Sequence, residues 1–171
     1  MTLIRRAAHL AALLFTAAGL LASAPGRASD TAVGIGLPFS SLAAAVAAQD
    51  AVAEDESQRC LASAVYFESQ GEPLAGQLAV AQVILNRTKS GRFAPDVCGV
   101  LKQRSQFGFV RGGVVPSVPD RPAGRTAIAV AKVALAQAWD GPAPQALYFH
   151  GLREGKVGTR IATIGHHIFS R

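Results

Sequence analysis

Apolar positions recur every three or four residues from residue 57 onward, which is the period of an amphipathic helix. The pattern predicts a first helix over residues 57–69, with Ser57 as its N-cap. Gly71 interrupts the pattern. A second helix opens at Glu72-Pro73, since proline fits the first turn of a helix, and it ends near Ser90-Gly91. Its broad apolar stripe identifies this second helix as a core helix.

The pattern changes from helices to strands in the later part of the chain. Residues 95–103 predict a short helix, and an alanine-rich third helix follows Pro122 and ends at Trp139-Asp140-Gly141. Aromatic and small residues alternate in QFGFVRGG, which predicts a strand or hairpin arm. The segments ALYFHG and RIATIGHHIFSR predict two terminal strands joined by a polar loop. The expected fold class is therefore α+β, with helices first and a small antiparallel sheet.

The N-terminus has the three parts of an export signal. Arg5 and Arg6 form a positive start, residues 7–22 are almost continuously apolar, and small residues follow them. The apolar run is too short to be a membrane span. We therefore expect residues 1–28 to be a signal peptide that is removed after Ala28, so that no stable membrane anchor is left.

Charge divides the remainder of the chain into two parts. Residues 29–56 are rich in Ala, Gly and Ser and contain five acids but no Lys or Arg, which predicts an acidic linker with a loose helix over residues 42–52. Residues 57–171 contain 14 Lys and Arg against 6 acids, a formal charge of +8, and form the expected folded domain. A basic exported domain favours an anionic partner in the cell envelope, although an ordinary solvated basic surface is the alternative. Nucleic acid is disfavoured, because no interleaved aromatic and basic motif occurs.

The chain contains two cysteines, Cys60 and Cys98. An even number of cysteines in an oxidising compartment favours a disulfide. The alternative is a catalytic cysteine that works with a histidine, as in cysteine-type wall peptidases. A disulfide between the two residues would remove both of them as nucleophiles.

Glu68 stands where the first helix should be apolar. It follows Ala64 and Val65 at spacings of four and three on the same helix face. An acid on a packed face is desolvated, which raises its pKa, and a carboxyl that stays protonated near neutral pH can donate a proton to a leaving group. Glycosidic cleavage needs such a group. The alternative is that the helix simply exposes Glu68 at its end, close to Gly71.

The other acids show no comparable signal. Glu72 is expected to have a structural role, capping the second helix or accepting hydrogen bonds from backbone amides. A glycosidase with two carboxylates would need a partner for Glu68, and the candidates Asp96, Asp120 and Asp140 all lie in turn sequences beside proline or glycine. If Glu68 acts alone, the substrate itself must supply the attacking group.

Histidines provide the remaining candidate chemistry. His150 could join either His166 or His167 and an acid in a zinc site, but adjacent residues on a strand point to opposite faces. Hydrogen-bonding or sugar-contacting roles are therefore favoured for them, and no metal or other cofactor is expected. Glycine-rich phosphate loops, nucleophile elbows and HExxH motifs do not occur in the sequence, which excludes those enzyme classes.

Residues 59–171 resemble the bacterial cell wall hydrolase family typified by spore cortex-lytic enzymes (SleB-type). The resemblance rests on AVYFESQGEPLAGQLAVAQVILNR, VCGVLKQRSQFGFV, ALYFH and IGHHIFSR, taken in this order. It implies a lysozyme-like fold and a lytic transglycosylase that cuts peptidoglycan between N-acetylmuramic acid and N-acetylglucosamine. The essential glutamate of the family corresponds to Glu68, and the C6 hydroxyl of muramic acid would then be the nucleophile.

The resemblance also suggests which residues line a sugar-binding groove. Aromatic faces stack on sugar rings and amides bond to N-acetyl groups. The candidates for substrate binding are Gln106, Phe107, Tyr148, His150 and Asn86. Asn86 could orient the loop or Glu68, and it is as readily a helix cap.

Together these features predict an exported enzyme of the periplasm or cell envelope that acts on peptidoglycan glycan strands. We expect a monomer, and the sequence does not identify a regulatory protein partner. The alternatives are a zinc- or cysteine-dependent wall amidase or peptidase, and a non-catalytic wall-binding module.

Overall fold

The computed structural model describes residues 39–155 and 157–171, which all belong to one compact unit. The predicted signal peptide and the first part of the predicted linker lie outside the described residues. None of the helices in the described ranges is long and apolar enough to cross a membrane. The elements are α1 (Leu42–Ala47), α2 (Glu56–Glu68), α3 (Leu74–Lys89), α4 (Val97–Lys102), α5 (Pro122–Leu135), β1 (Tyr148–Gly151), β2 (Arg160–Ile164) and β3 (His167–Ser170).

Helix α2 lies at the centre of the core and packs against α3, α4 and α5. Its buried face includes Leu61 and Val65, which meet apolar side chains such as Leu78 of α3 and Val130 of α5. Small residues on α5 allow neighbouring backbone to come close: a Cβ atom on Gly124 would lie 2.0 Å from the carbonyl oxygen of Pro119. The core is therefore built mainly from helices, as the apolar periodicity predicts.

The N-cap of α2 lies two residues before the predicted one. Asp55, not Ser57, is the N-cap, and its carboxylate accepts a hydrogen bond of 2.8 Å from the backbone amide of Gln58. An aspartate at this position satisfies a free amide of the first turn and also lies at the positive end of the helix dipole. The prediction of Ser57 as N-cap was wrong because Asp55 is available two residues earlier.

The second half of the predicted linker is part of the folded unit. Helix α1 packs on α5 and α3, with Ala45 fully buried. Between α1 and α2, Asp50 and Glu54 approach the ammonium group of Lys132 on α5 at 2.7 and 3.4 Å. The hydrogen bond from Lys132 holds the pKa of the Asp50 carboxyl below its usual value. The acids of this segment are therefore used to attach it to the basic domain.

A disulfide joins Cys60 of α2 to Cys98 of α4, and both residues are buried. The bond closes a loop with a sequence separation of 38 residues, which contains α3. It holds the short helix α4 against the middle of the core. With both sulfurs bonded, neither cysteine is free to act as a nucleophile.

Residues 106–113, the segment QFGFVRGG, do not form the predicted strand or hairpin arm. Turns occupy most of this segment, and its only bridge among the described residues pairs Arg111 with Val114 across Gly112 and Gly113, which both have positive φ. Phe107 and Phe109 pack against the helical core instead of pairing with a strand. The alternation of aromatic and small residues therefore reflects an aromatic loop.

The last part of the chain forms three strands, where the sequence predicted two. The strand order is β1-β3-β2 and every pairing is antiparallel. The segment RIATIGHHIFSR folds back on itself at Gly165-His166, so it forms the hairpin of β2 and β3 rather than one strand. Gly165 has φ +55°, which suits a tight turn. Phe149 and Phe169 on the inner face of the sheet pack in a second apolar cluster with residues of α3.

Helix α5 ends at Leu135, several residues before the predicted stop at 139–141. Ala136 is its C-cap and Gln137 has φ +51°, a left-handed conformation that ends the helix. Gln137 thus ends the helix where a glycine would be usual. The prediction placed the end later because the apolar residues Ala138 and Trp139 follow.

Candidate functional site

Glu68 is the last residue of α2, and its side chain is half-buried. The helix face that leads to it carries Ala64 and Val65, which are buried in the core. Burial raises the pKa of the Glu68 carboxyl above its ordinary value, and the positive charge of Arg87 acts in the opposite direction. Glu68 is therefore a carboxyl that keeps its proton more readily than an exposed glutamate while remaining accessible at a helix end.

Arg87 is a charged residue that the sequence analysis missed. It lies near the end of α3 and is buried, with its Nε donating a hydrogen bond of 2.7 Å to the carbonyl oxygen of Leu147. Its Nη1 is buried without a hydrogen-bond partner in the described part of the chain. The signal for it was present, because Arg87 follows Ile84 by three residues on a buried face, just as Glu68 follows Val65.

Aromatic rings surround the Arg87 guanidinium. Its central carbon lies 4.8 Å from the ring centre of Phe93, 5.6 Å from that of Phe107 and 5.9 Å from that of Tyr148. Such contacts stabilise a cation that has lost its water. Two of the predicted sugar-contacting residues, Phe107 and Tyr148, are thus brought together with Glu68 through Arg87, although they are far apart in the sequence.

Phe107 itself does not offer a free ring face, because it is buried beneath this cluster. The accessible aromatic surface next to Glu68 comes from Phe67, which is 39% exposed and stacks on Phe109 with 5.0 Å between ring centres. Phe67 directly precedes Glu68 in the chain. The burial of Phe107 therefore suits a supporting role rather than the predicted contact with substrate, whereas Phe67, Phe109 and the half-buried Tyr148 have ring surface that a ligand can reach.

Tyr148 and His150 lie on one face of β1, opposite to Phe149, which is partly buried against the second apolar cluster. The hydroxyl of Tyr148 accepts a hydrogen bond of 2.7 Å from Arg92, and its ring takes part in the Arg87 cluster. His150 is two residues further along the strand and is buried. On this outer face of the sheet, Tyr148 is next to Arg87, and His150 is further from it along β1.

Asn86 and Gln106 have separate positions. Asn86 donates a hydrogen bond of 3.0 Å to the carbonyl oxygen of Ala146, so it helps Arg87 to hold the segment that leads into β1. This contact orients the loop, which is one of the roles expected for Asn86. Gln106 is exposed at the start of the aromatic loop, beside Phe107.

Glu72 is buried and lies against the turn between β2 and β3. Its carboxylate accepts hydrogen bonds from the backbone amide of His166, at 3.0 and 3.2 Å, and lies 3.0 Å from Nδ1 of the same residue. A Cβ atom on Gly165 would lie only 1.7 Å from this carboxylate, so a glycine is required there. Glu72 therefore binds a backbone amide, but that of a distant turn rather than its own helix.

The structure does not bring together the histidines of the hypothetical zinc site. His150 lies on the outer face of the sheet, whereas His167 lies edge-on to Phe149 on the inner face, and His166 is exposed in the turn. Among the described residues, one other group has suitable ligand types, Glu56 with Cys60 and Cys98. Its two sulfurs are bonded to each other and are not thiolates.

The three aspartates proposed as partners for Glu68 have other surroundings. Asp96 is the N-cap of α4 and accepts a hydrogen bond of 2.7 Å from Gly99, whereas Asp120 forms an ion pair of 2.7 Å with Arg125. Asp140 is exposed in the segment after α5. The arrangement around Glu68 is therefore one protonatable carboxyl, one buried cation and an aromatic surface, which suits proton transfer by a single acid.

Residues 71–170 match the family described as Cell Wall Hydrolase. The match begins three residues after Glu68. The chain is also similar to the spore cortex-lytic enzyme of Oceanobacillus iheyensis, with 40% identity over 116 residues, which cover 65% of this chain and 40% of that protein. It is 37% identical to the spore cortex-lytic enzyme of Bacillus subtilis over 133 residues, which cover 71% of this chain and 42% of that protein. The chain thus spans about two fifths of the length of these relatives.

Two solved structures have a similar fold. The catalytic domain of the germination-specific lytic transglycosylase SleB from Bacillus anthracis superposes with a TM-score of 0.59 and 34% identity, covering 70% of this chain and 100% of that domain. The catalytic domain of the Bacillus cereus SleB protein gives a TM-score of 0.55 and 32% identity, covering 72% of this chain and 98% of that domain. The predicted α+β fold with helices and a small antiparallel sheet is confirmed.

Proposed function

This chain belongs to the cell wall hydrolase family, and we propose on that premise that it is a lytic transglycosylase that cleaves the glycan strands of peptidoglycan. The observation that carries the proposal is the position of Glu68, a half-buried carboxyl of raised pKa at a helix end, next to the charge of Arg87. A solved structure that is similar over its whole length is the catalytic domain of a germination-specific lytic transglycosylase. A single acid with these properties is enough for intramolecular transfer.

In the proposed reaction, Glu68 first acts as general acid. It donates its proton to the oxygen of the β-1,4 bond between N-acetylmuramic acid and N-acetylglucosamine, and the bond from C1 of muramic acid to that oxygen breaks. The Glu68 carboxylate then takes the proton of the muramic C6 hydroxyl, whose oxygen forms a bond to C1. The products are a 1,6-anhydro-muramic end and a new N-acetylglucosamine end, and no water is consumed.

Arg87 supports both halves of this cycle. Its buried charge stabilises the Glu68 carboxylate that exists between the two proton transfers, whereas burial of Glu68 favours the protonated form needed at the start. The aromatic rings around Arg87 compensate for its lost hydration and hold it in place. A single carboxyl can therefore give up its proton and recover it near neutral pH.

For substrate binding we propose the surface on either side of Glu68. Phe67 and Phe109 offer ring faces on one side, and Tyr148 and His150 lie on the sheet on the other. Gln106 is exposed at the edge of the aromatic loop, where its amide can meet an N-acetyl group. The basic charge of residues 57–171 suits the carboxylates of peptidoglycan peptides and of anionic wall polymers.

We also propose that the protein is exported and acts in the periplasm or cell envelope as a monomer without a cofactor. The signal-like residues 1–28 support export, and the disulfide suits an oxidising compartment. The disulfide also argues against a cysteine-dependent peptidase. A wall-binding module without activity is the remaining rival, and the following experiment separates it from an enzyme.

The test of the proposed function is the chemistry of the released fragments. Purified sacculi are incubated with the protein lacking residues 1–28, and the soluble products are analysed by mass spectrometry. We expect fragments with 1,6-anhydro-muramic ends. Reducing muramic ends would show that water attacks and would overturn the transglycosylase mechanism, and the absence of soluble fragments would favour the binding module.

Arg87 provides a prediction about pH. In Arg87→Met the positive charge next to Glu68 is lost, so the pKa of Glu68 rises further. Because Glu68 must be protonated to act as general acid, the decline of kcat/KM at high pH should move to higher pH than in the parent. The measurement is the rate of release of soluble fragments from dye-labelled sacculi across pH.

Arg87→Lys is the matched control for the pH profile. It keeps a positive charge and should leave the basic limb nearer to that of the parent, although it loses the hydrogen bond to Leu147. An identical basic limb in the parent and in Arg87→Met would contradict the electrostatic role assigned to Arg87.

A further inference from the structure

A cavity of about 480 Å³ lies on the outer face of the sheet, beyond Tyr148. It is of a size common for small-molecule sites. Its walls combine two buried polar residues, three aliphatic side chains, one acid and one basic residue. The polar residues are His150 and Ser170, the aliphatic residues are Leu152, Val157 and Ile168, and the charged residues are Glu154 and Arg160.

Ser170 marks the floor of the cavity. Its side chain is only 1% exposed, and its Oγ is buried without a hydrogen-bond partner among the described residues. A buried hydroxyl without a hydrogen-bond partner raises the free energy of the folded protein. A ligand that forms a hydrogen bond to it would therefore bind more tightly. His150 is also buried and has Nδ1 3.2 Å from the carbonyl oxygen of Gly151. A ring that donates from Nδ1 keeps Nε2 as an acceptor.

Apolar side chains lie at the mouth of the same cavity. Leu152 is 51% exposed and Val157 is 44% exposed, so both present aliphatic surface to a ligand. Ile168 also lines the cavity and lies beside His150, its register partner on β3. The cavity therefore offers a hydroxyl and an imidazole next to an aliphatic wall.

This combination matches an acetamido group. Such a group has an amide N–H that donates, a carbonyl oxygen that accepts and a methyl group that prefers an aliphatic wall. We infer that the cavity binds the N-acetyl group of a sugar in the glycan strand. The inference rests on the proposed function and adds to it a binding site for a sugar beyond the point of cleavage.

The position of the cavity agrees with a continuous groove. Ser170 is the register partner of Tyr148, whose ring contacts the Arg87 cluster next to Glu68. His150 follows Tyr148 by two residues, a distance of about 7 Å along a strand. The cavity therefore lies on the same face of the sheet as Tyr148, within one sugar length of it along β1.

The test compares two neutral oligosaccharides that differ in the acetamido group. Binding of chitohexaose and of cellohexaose is measured by calorimetry with the parent and with Ser170→Ala and Leu152→Ala. We expect the parent to prefer chitohexaose by about tenfold or more, which corresponds to about 1.4 kcal/mol. Each substitution should reduce this preference by about fivefold. Ile161→Ala, at a similarly exposed aliphatic residue of β2 outside the cavity, should keep it.

Stability provides the control for misfolding. Ser170→Ala removes a hydroxyl that has no partner, so its melting temperature should be equal to or above that of the parent while its preference for chitohexaose falls. Equal affinity for both sugars in the parent, or an unchanged preference in both cavity variants, would overturn the inference. The sacculus assay is read separately: loss of the preference in the variants together with no cleavage by the parent would support the cavity and refute only the proposed reaction.

Discussion

Replacing Glu68 by Gln should reduce the release of soluble fragments from sacculi by about 10²–10⁴-fold, the usual contribution of a general acid or base. Glutamine has almost the same shape but cannot donate a proton to the glycosidic oxygen or accept one from the muramic C6 hydroxyl. Because Glu68 is half-buried, removing its charge should not lower stability. The measurement is mass spectrometry of the fragments released by the two proteins under identical conditions.

Glu56→Gln is the matched control for this substitution. Glu56 lies on the same helix at its opposite end, and its side chain is well exposed. The Glu56→Gln variant should release fragments at the rate of the parent. This result would show that loss of an acid from α2 does not by itself reduce activity. Equal release by the parent and by Glu68→Gln would remove Glu68 from its assigned role, and the search would turn to a second carboxylate.

Loss of the disulfide should have the largest effect on stability. The double substitution Cys60→Ala and Cys98→Ala opens a loop with a sequence separation of 38 residues, and the chain-entropy model assigns such a loop about 3–4 kcal/mol. Most of this effect arises in the unfolded chain, which gains freedom when the link is removed. The measurement is the free energy of unfolding from denaturant titration of the parent and of the double variant.

A reducing agent provides the control for the disulfide. It should lower the denaturation midpoint of the parent towards that of the double variant and leave the double variant unchanged. If reduction does not move the midpoint of the parent, the bond does not contribute to stability in the way proposed. In dilute denaturant, the activity of the parent and of the double variant should each follow the fraction of protein that is folded.

Local patterns in the sequence were sufficient for the helical part of the fold. The apolar period, Gly71 and the prolines placed α2, α3, α4 and α5 within a few residues, because helix formation depends on contacts three and four positions apart. The same period made Glu68 conspicuous as an acid on an apolar face. The resemblance to cell wall hydrolases, which rests on short ordered motifs, was also visible before any coordinates, and membership of that family is confirmed.

Features that depend on distant residues were decided only by the tertiary structure. The segment QFGFVRGG has the alternation of a strand but packs its rings on the helices and beside Arg87, and α1 became part of the core because α5 and Lys132 lie next to it. Contacts of this kind join residues far apart in sequence, so no window along the chain contains both partners.

The candidate site shows the same division. The candidate acid Glu68 could be found from the sequence of α2 alone, because it interrupts the apolar face of that helix. The charge that acts on that acid, the ring faces beside it and the cavity beyond Tyr148 come from α3, the aromatic loop and two strands. Packing brings these segments together, since burying apolar surface has no preference for neighbours in sequence. The sequence alone therefore determined which residue is the candidate acid, and the tertiary structure determined its surroundings.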